Sequence, residues 1–164
     1  MICIATLDSR VIKRFVWCCM LATAAAGCKS KPASRGEFDS GRRALQRGQF
    51  SEAIQELGAY LRESPRGELA SRASFLIGKA QLGLGNHDDS RAQFEQTIRS
   101  YPNSEEAHKS RYKLAMLGLL DGDEADARRR FSELIDAPSG TLVPEATAMR
   151  KYLDRRAAEQ AGDK

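Results

Sequence analysis

From Glu37 to Ser139 apolar residues recur at helical spacing in six blocks separated by turn residues. The clearest pair runs from Phe75 to Pro102, FLIGKAQLGLGNHDDSRAQFEQTIRSYP, and reads as two amphipathic helices joined by a tight turn at Gly85-Asn86. The pattern predicts first helices near 37–47, 68–84 and 105–120, and second helices near 51–63, 88–100 and 123–136. Asn86, and Asn103 with Glu106 three residues on, supply helix-start signals. After Gly140, Pro144 to Ala158 forms one more amphipathic stretch, with Pro144 at a first position where no backbone donor is needed.

The blocks repeat with a period of 37 residues. Gly41, Gly78 and Ala115 fall in step, as do Gly48, Gly85 and Gly122, and Ala53, Ser90 and Ala127. Leu57, Phe94 and Phe131 match, and Pro65 matches Pro102, while Pro138 arrives one residue early. Each landmark has a physical task. Small residues at 41, 78 and 115 let the second helix of a unit approach the first, and the bulky residues at 57, 94 and 131 fill the seam. A glycine after each first helix supplies the left-handed conformation of a helix end. A period of this size marks stacked helical hairpins.

The small-x3-aromatic spacing with a proline eight residues later resembles the tetratricopeptide repeat (TPR), carried here by Ile77-Gly78…Ser90-x3-Phe94…Pro102 and by Leu114-Ala115…Ala127-x3-Phe131. Two features depart from that family. Glu37, Ser74 and Arg111 stand where it usually has an aromatic, and the period exceeds the usual 34 by three residues, which a longer first helix would absorb. The resemblance implies an all-α, right-handed α-solenoid of three TPR-like hairpins. The expected organisation is a signal segment 1–27, a tether 28–36, repeats 37–139, a capping helix 140–158 and a tail 159–164.

The first 28 residues change the picture. They hold all four cysteines, so the repeats have no disulfide and no thiol ligands. Lys13 and Arg14 precede an apolar run from Phe15 to Ala26, which as a helix spans about 18 Å against about 30 Å of bilayer hydrocarbon. That fits an export signal better than a permanent anchor. The run ends in Ala25-Ala26-Gly27-Cys28, which resembles the lipobox of bacterial lipoproteins, with cleavage between Gly27 and Cys28 and lipidation of the Cys28 thiol (a palmitate-type anchor); Ala25 stands where the family usually has leucine. The alternative is ordinary cleavage after Ala24-Ala25-Ala26, leaving Cys28 as a free thiol. Lys29 in place of an aspartate implies, by the lipoprotein sorting pattern, the outer membrane with the protein facing the periplasm. KSKPASRG, residues 29–36, then reads as a tether.

The formal charge is +4, of which residues 1–27 carry +2; the remainder is too small and too dispersed to point to nucleic acid. His87 beside Asp88 and Asp89 reads as a solvated turn, and the acidic stretch Asp121 to Asp126 lacks calcium-loop spacing. No phosphate loop and no activated nucleophile is legible, so the expectation is a non-enzyme with no cofactor, metal or small-molecule substrate.

By the TPR resemblance, first helices line a groove. Arg72, Phe75 and Lys79 lie at i, i+3 and i+7 on one of them, Lys109, Tyr112 and Met116 occupy the corresponding places on the next, and Phe38 and Arg42 those in the unit before. Such a stripe of rings and cations suits a peptide with acidic residues, though Phe38, Phe75 and Tyr112 are equally explained as core packing; Leu45, Leu82 and Leu119 read as core. Over 37–139 the chain resembles the TPR domain of the Tol-Pal-associated periplasmic coordinator family, whose coiled coil is absent, and the TPR lipoprotein of the outer-membrane β-barrel assembly machine, which has more repeats. These resemblances imply a membrane-anchored adaptor that binds other envelope proteins or peptide segments, in outer-membrane assembly or in cell-division coordination. The rivals are a self-associating scaffold and an accessory subunit of an envelope-polymer enzyme.

Overall fold

The computed structural model describes residues 35–136 and 142–162. The expected signal segment, the Gly27-Cys28 junction, most of the expected tether and Pro138 lie outside the described residues. Seven helices follow one another, with no strand among the described residues: α1 (Arg35–Gln46), α2 (Phe50–Glu63), α3 (Ala70–Gly83), α4 (His87–Ser100), α5 (Glu105–Leu120), α6 (Glu124–Asp136) and α7 (Val143–Gly162). They form three hairpins and one further helix, an all-α solenoid in which each helix packs on the next.

Each hairpin turns in the same way. Gly48, Gly85 and Gly122 have φ of 75°, 78° and 80°, the left-handed region that a side chain disfavours. The residue after each glycine donates its N–H back to the helix, Gln49 to the Ala44 carbonyl at 2.9 Å, Asn86 to Gln81 at 3.0 Å and Asp123 to Gly118 at 2.9 Å. These bonds satisfy carbonyls that the helix end would otherwise leave open. The predicted start signals fare less evenly. Asn86 does precede α4, but its side chain makes no capping bond. At α5 the cap is Ser104 and not Asn103: the Ser104 hydroxyl accepts the Ala107 N–H at 3.1 Å and donates to the Tyr101 carbonyl at 2.8 Å. The extra three residues of the period do not uniformly lengthen the first helices, which have 12, 14 and 16 residues against 14, 14 and 13 for their partners.

Within each hairpin the small position meets the bulky one. A Cβ built on Gly41 would lie 2.6 Å from Leu57 Cγ, and one on Gly78 would lie 2.6 Å from Phe94 Cε1. Leu57, Phe94 and Phe131 are fully buried. A ring on the first helix packs beside each seam: Phe38 on Tyr60 (5.8 Å between centroids), Phe75 on Phe94 (5.6 Å) and Tyr112 on Phe131 (5.6 Å). Leu45, Leu82 and Leu119 are partly buried against these clusters, as core residues should be. Successive hairpins join when the next first helix lays small or aliphatic residues on the preceding seam. Ala70, Ala73 and Ile77 pack with Leu57 and Tyr60, and Leu114 and Leu117 pack with Phe94. At Ser74, where the family resemblance leads one to expect an aromatic, a buried hydroxyl pairs with Thr97 Oγ1 at 2.7 Å and accepts from Gln93 Nε2 at 2.9 Å.

The first helices also touch one another, α1 against α3 and α3 against α5, whereas the second helices show no comparable pairing among the described residues. Helix α7 packs on α6 through Ala146, Met149 and Leu153. Polar ties hold it: Arg128 Nε to Asp154 at 3.0 Å, Arg156 to Glu124 at 3.1 Å, and Arg128 Nη2 to the Leu153 carbonyl at 3.2 Å. It begins at Val143 and runs through Gly162, so residues 159–162 of the expected tail are helical, just as α1 takes up Arg35 and Gly36 of the expected tether.

The buried residues of α7 follow the first-helix pattern at an offset of 36, the same one-residue shift seen at Pro138. Ala146 and Leu153 then take the places of Ser110 and Leu117, all four of them buried. Met149 takes the place that Leu76 holds on α3, and each packs partly buried against the seam of the unit before. The positions that receive a second helix in unit 3, Ala115 and Leu119, become Lys151 and Arg155, both exposed. Two exposed cations at those positions oppose the packing of a further helix on this face of α7.

Candidate functional site

Between α3 and α5 lies an open cleft of about 430 Å³. Arg72, Phe75, Leu76 and Lys79 form one wall, at i, i+3, i+4 and i+7 of α3. Glu106, Lys109, Tyr112 and Lys113 form the other, and Leu142, just before α7, also lines it. Five of the seven groove residues expected from the sequence are thereby brought together. Met116 is partly buried with Tyr112 and Met149 in the cluster beneath. Arg42 does not line this cleft; it sits on α1 and pairs with Asp39 at 3.2 Å.

The rings serve two purposes at once. Phe75 and Tyr112 each lean one side on a buried ring of the second helix, yet keep enough surface to line the cleft. Phe38, the matching ring in unit 1, is 3% exposed and belongs wholly to the core.

The charge of the cleft is positive. Lys109 pairs with Glu105 at 2.8 Å, and Ser71 Oγ donates to Glu106 Oε2 at 3.1 Å, tying α3 to α5 at the mouth. The hydrogen bond and charge of Lys109, with a smaller contribution from Arg72, hold the Glu105 carboxyl below its ordinary pKa, so it stays ionised. Lys79 and Lys113 form no ion pair among the described residues, and Arg72 acts on Glu105 only through its field. Four cations against two carboxylates leave a surface able to attract an acidic segment, with two rings to pack on it.

The sequence reading missed Leu76, Lys113, Glu106 and Leu142. The first two had a signal: a helix face includes i+4 as well as i+3 and i+7, and Leu76 and Lys113 are the i+4 residues of the two stripes. Elsewhere, His87 is the exposed first residue of α4, and no group of three or more His, Cys, Asp or Glu able to hold a metal occurs among the described residues.

The sequence model described as tetratricopeptide repeat matches residues 38–105 and 75–141, which together span more than half of the chain. Among solved structures, the crystal structure of MamA superposes with a TM-score of 0.54 at 14% identity, covering 96% of this chain and 99% of that one; at that identity the likeness is one of fold. No curated protein matches the sequence. The chain belongs to the tetratricopeptide repeat family, and its repeats make it a protein-interaction adaptor or scaffold.

Proposed function

We propose that the protein is a membrane-anchored adaptor of the bacterial cell envelope that holds an acidic segment of another envelope protein in the cleft between α3 and α5. The observation that carries the binding reading is the cleft itself, where Arg72, Lys79, Lys109 and Lys113 surround Phe75 and Tyr112. The anchoring reading is supported by the apolar run ending in Gly27-Cys28, and outer-membrane placement by Lys29. Acyl chains on Cys28 would confine the domain to the bilayer surface, and the residues before α1 would serve as its tether. Confinement raises the effective concentration of any partner on the same membrane without a new contact. The settings are outer-membrane assembly and envelope coordination during division, and the identity of the captured segment decides between them.

The test is a photo-crosslinker at Lys79 in the full chain expressed in bacteria, with the captured protein identified by mass spectrometry. The control carries Arg72→Glu and Lys113→Glu. These side chains are better controls than the rings, because Phe75 and Tyr112 also support the seams. One envelope protein captured by the parent and lost in the control is the expected result; capture indifferent to both charge reversals overturns the cleft. In parallel, Cys28→Ser should move the protein out of the membrane fraction, and membrane retention would overturn the anchor.

A further inference from the structure

The stripe that lines the cleft does not stop at α5. At the offset of 36 that aligns the buried face of α7, the residues Lys109, Tyr112, Lys113 and Met116 correspond to Glu145, Ala148, Met149 and Tyr152. This is again a face at i, i+3, i+4 and i+7. Two contacts join it to the cleft. Leu142 lines the cleft itself, and Met149 shares a packed cluster with Tyr112 and Met116. Beyond Met149 the face is uncovered: Ala148 is exposed, and Tyr152 is 48% exposed.

The ring has changed its place on this face. On α3 and α5 it stands at the second position, as Phe75 and Tyr112, with Lys79 and Met116 one turn further on. On α7 an alanine holds the ring's position and the ring, Tyr152, stands one turn further on. Residues four apart are neighbours on a helix surface. The short Ala148 side chain therefore leaves a step beside the Tyr152 ring, floored by a methyl group and flanked by Met149. Such a step suits a large apolar side chain supplied from outside, with the Tyr152 ring as its wall.

The chemistry changes along the same path. Helix α3 offers Arg72 and Lys79, α5 offers Lys109 and Lys113, and α7 offers alanine, methionine, tyrosine and the carboxylate of Glu145. From this gradient we infer that the cleft takes a bipartite peptide: acidic residues between α3 and α5, followed in one fixed order by a large apolar side chain seated over Ala148 against Tyr152. The inference rests on the cleft being a segment-binding site and adds a second subsite with its own specificity. Charge complementarity selects the occupant. Glu145 at the apolar end repels an acid there, and at the other end Lys79 and Lys113 have no counterion among the described residues.

Random dodecapeptides displayed on phage and selected against the full chain in mild detergent test this directly. The expected outcome is enrichment of acidic residues together with Leu, Phe or Trp, always in the same order. A selected peptide, fluorescently labelled, should bind about tenfold more weakly to Tyr152→Ala, while its truncated form keeping only the acidic end is unaffected. Tyr152 is half in solvent, so the variant keeps its fold, which circular dichroism confirms. Ala148→Glu, at an exposed helical position, is a second variant with the same expected loss, because it fills the step with a charge. Acidic peptides enriched without an apolar partner, or Tyr152→Ala and Ala148→Glu leaving affinity unchanged, overturn the second subsite and leave the cleft standing. A selection without acidic enrichment, or with no enrichment at all, overturns both.

Discussion

Adding one methyl group at Gly78 separates a seam that is locked from one that is merely close. A Cβ there would lie 2.6 Å from Cε1, 2.8 Å from Cδ1 and 3.1 Å from Cζ of Phe94. Phe94 has no room to yield: it is fully buried, in tilted ring contact with Phe75 and packed with Leu114 and Leu117 of the next unit. Against an enclosed ring, overpacking falls in the upper part of its usual range, about 2–3 kcal/mol, and alanine recovers about 1 kcal/mol of helix propensity over glycine. Gly78→Ala should therefore destabilise the protein by about 1–2 kcal/mol, which lowers the unfolding temperature by about 4–8 °C. Unit 3 shows what accommodation requires. There Ala115 stands in the same cluster as Phe131, and the ring crosses its neighbour at 65°, against 41° for Phe94. Gly83 is the control. Its Cβ would also overlap a ring, that of Phe50, but Phe50 is only half-buried at the start of α2 and can swing towards solvent. Gly83→Ala should lie between no change and about 1 kcal/mol of stabilisation. Urea unfolding followed by circular dichroism measures both. A Gly78→Ala protein as stable as the parent, or equal losses at the two sites, would refute the argument that burial of the opposing ring decides the outcome.

Other expectations follow from single features. Gly85 has nothing within 4 Å of a built Cβ, so Gly85→Ala should lose about 1–2 kcal/mol purely from its φ of 78°, and Gly85→Asn should lose less, as measured by thermal unfolding. Hydrogen bonds from Arg130 and Arg129 hold the Asp126 carboxyl below its ordinary pKa. Its contribution, under about 1 kcal/mol, is therefore present above the unfolded pKa of about 3.9 and is lost as the pH falls through the lower folded value. Urea midpoints should drop over that acid range in the parent and drop less in Asp126→Asn. Lys151→Ala with Arg155→Leu restores the pattern of a seam on α7, and light scattering should show association that grows with concentration; a monomeric double variant would refute the capping role of the two charges.

The hairpins were legible because their determinants are local and repeated. Glycine's tolerance of positive φ fixed all three turns at Gly48, Gly85 and Gly122, and the small and bulky landmarks located each seam from spacing alone. Helix starts were less legible: Ser104 and Asn103 are adjacent residues of similar capping ability, and only the backbone path around Tyr101 selects the serine.

The period, the pairing of helices within each unit and the positive stripe could all be read from the chain, since they depend on spacing along one or two helices. How neighbouring units meet could not. Phe38, Phe75 and Tyr112 share one register, yet Phe38 is enclosed while the other two line a cleft, because the packing of adjacent first helices sets how much of each ring is covered. Glu106 entered the site through Ser71, thirty-five residues away, and Leu142 through the path into α7, contacts that no periodicity encodes. Side-chain pattern assigns each residue to a helix face; whether that face meets solvent, a neighbour or a partner depends on distances between helices, and those are properties of the folded stack.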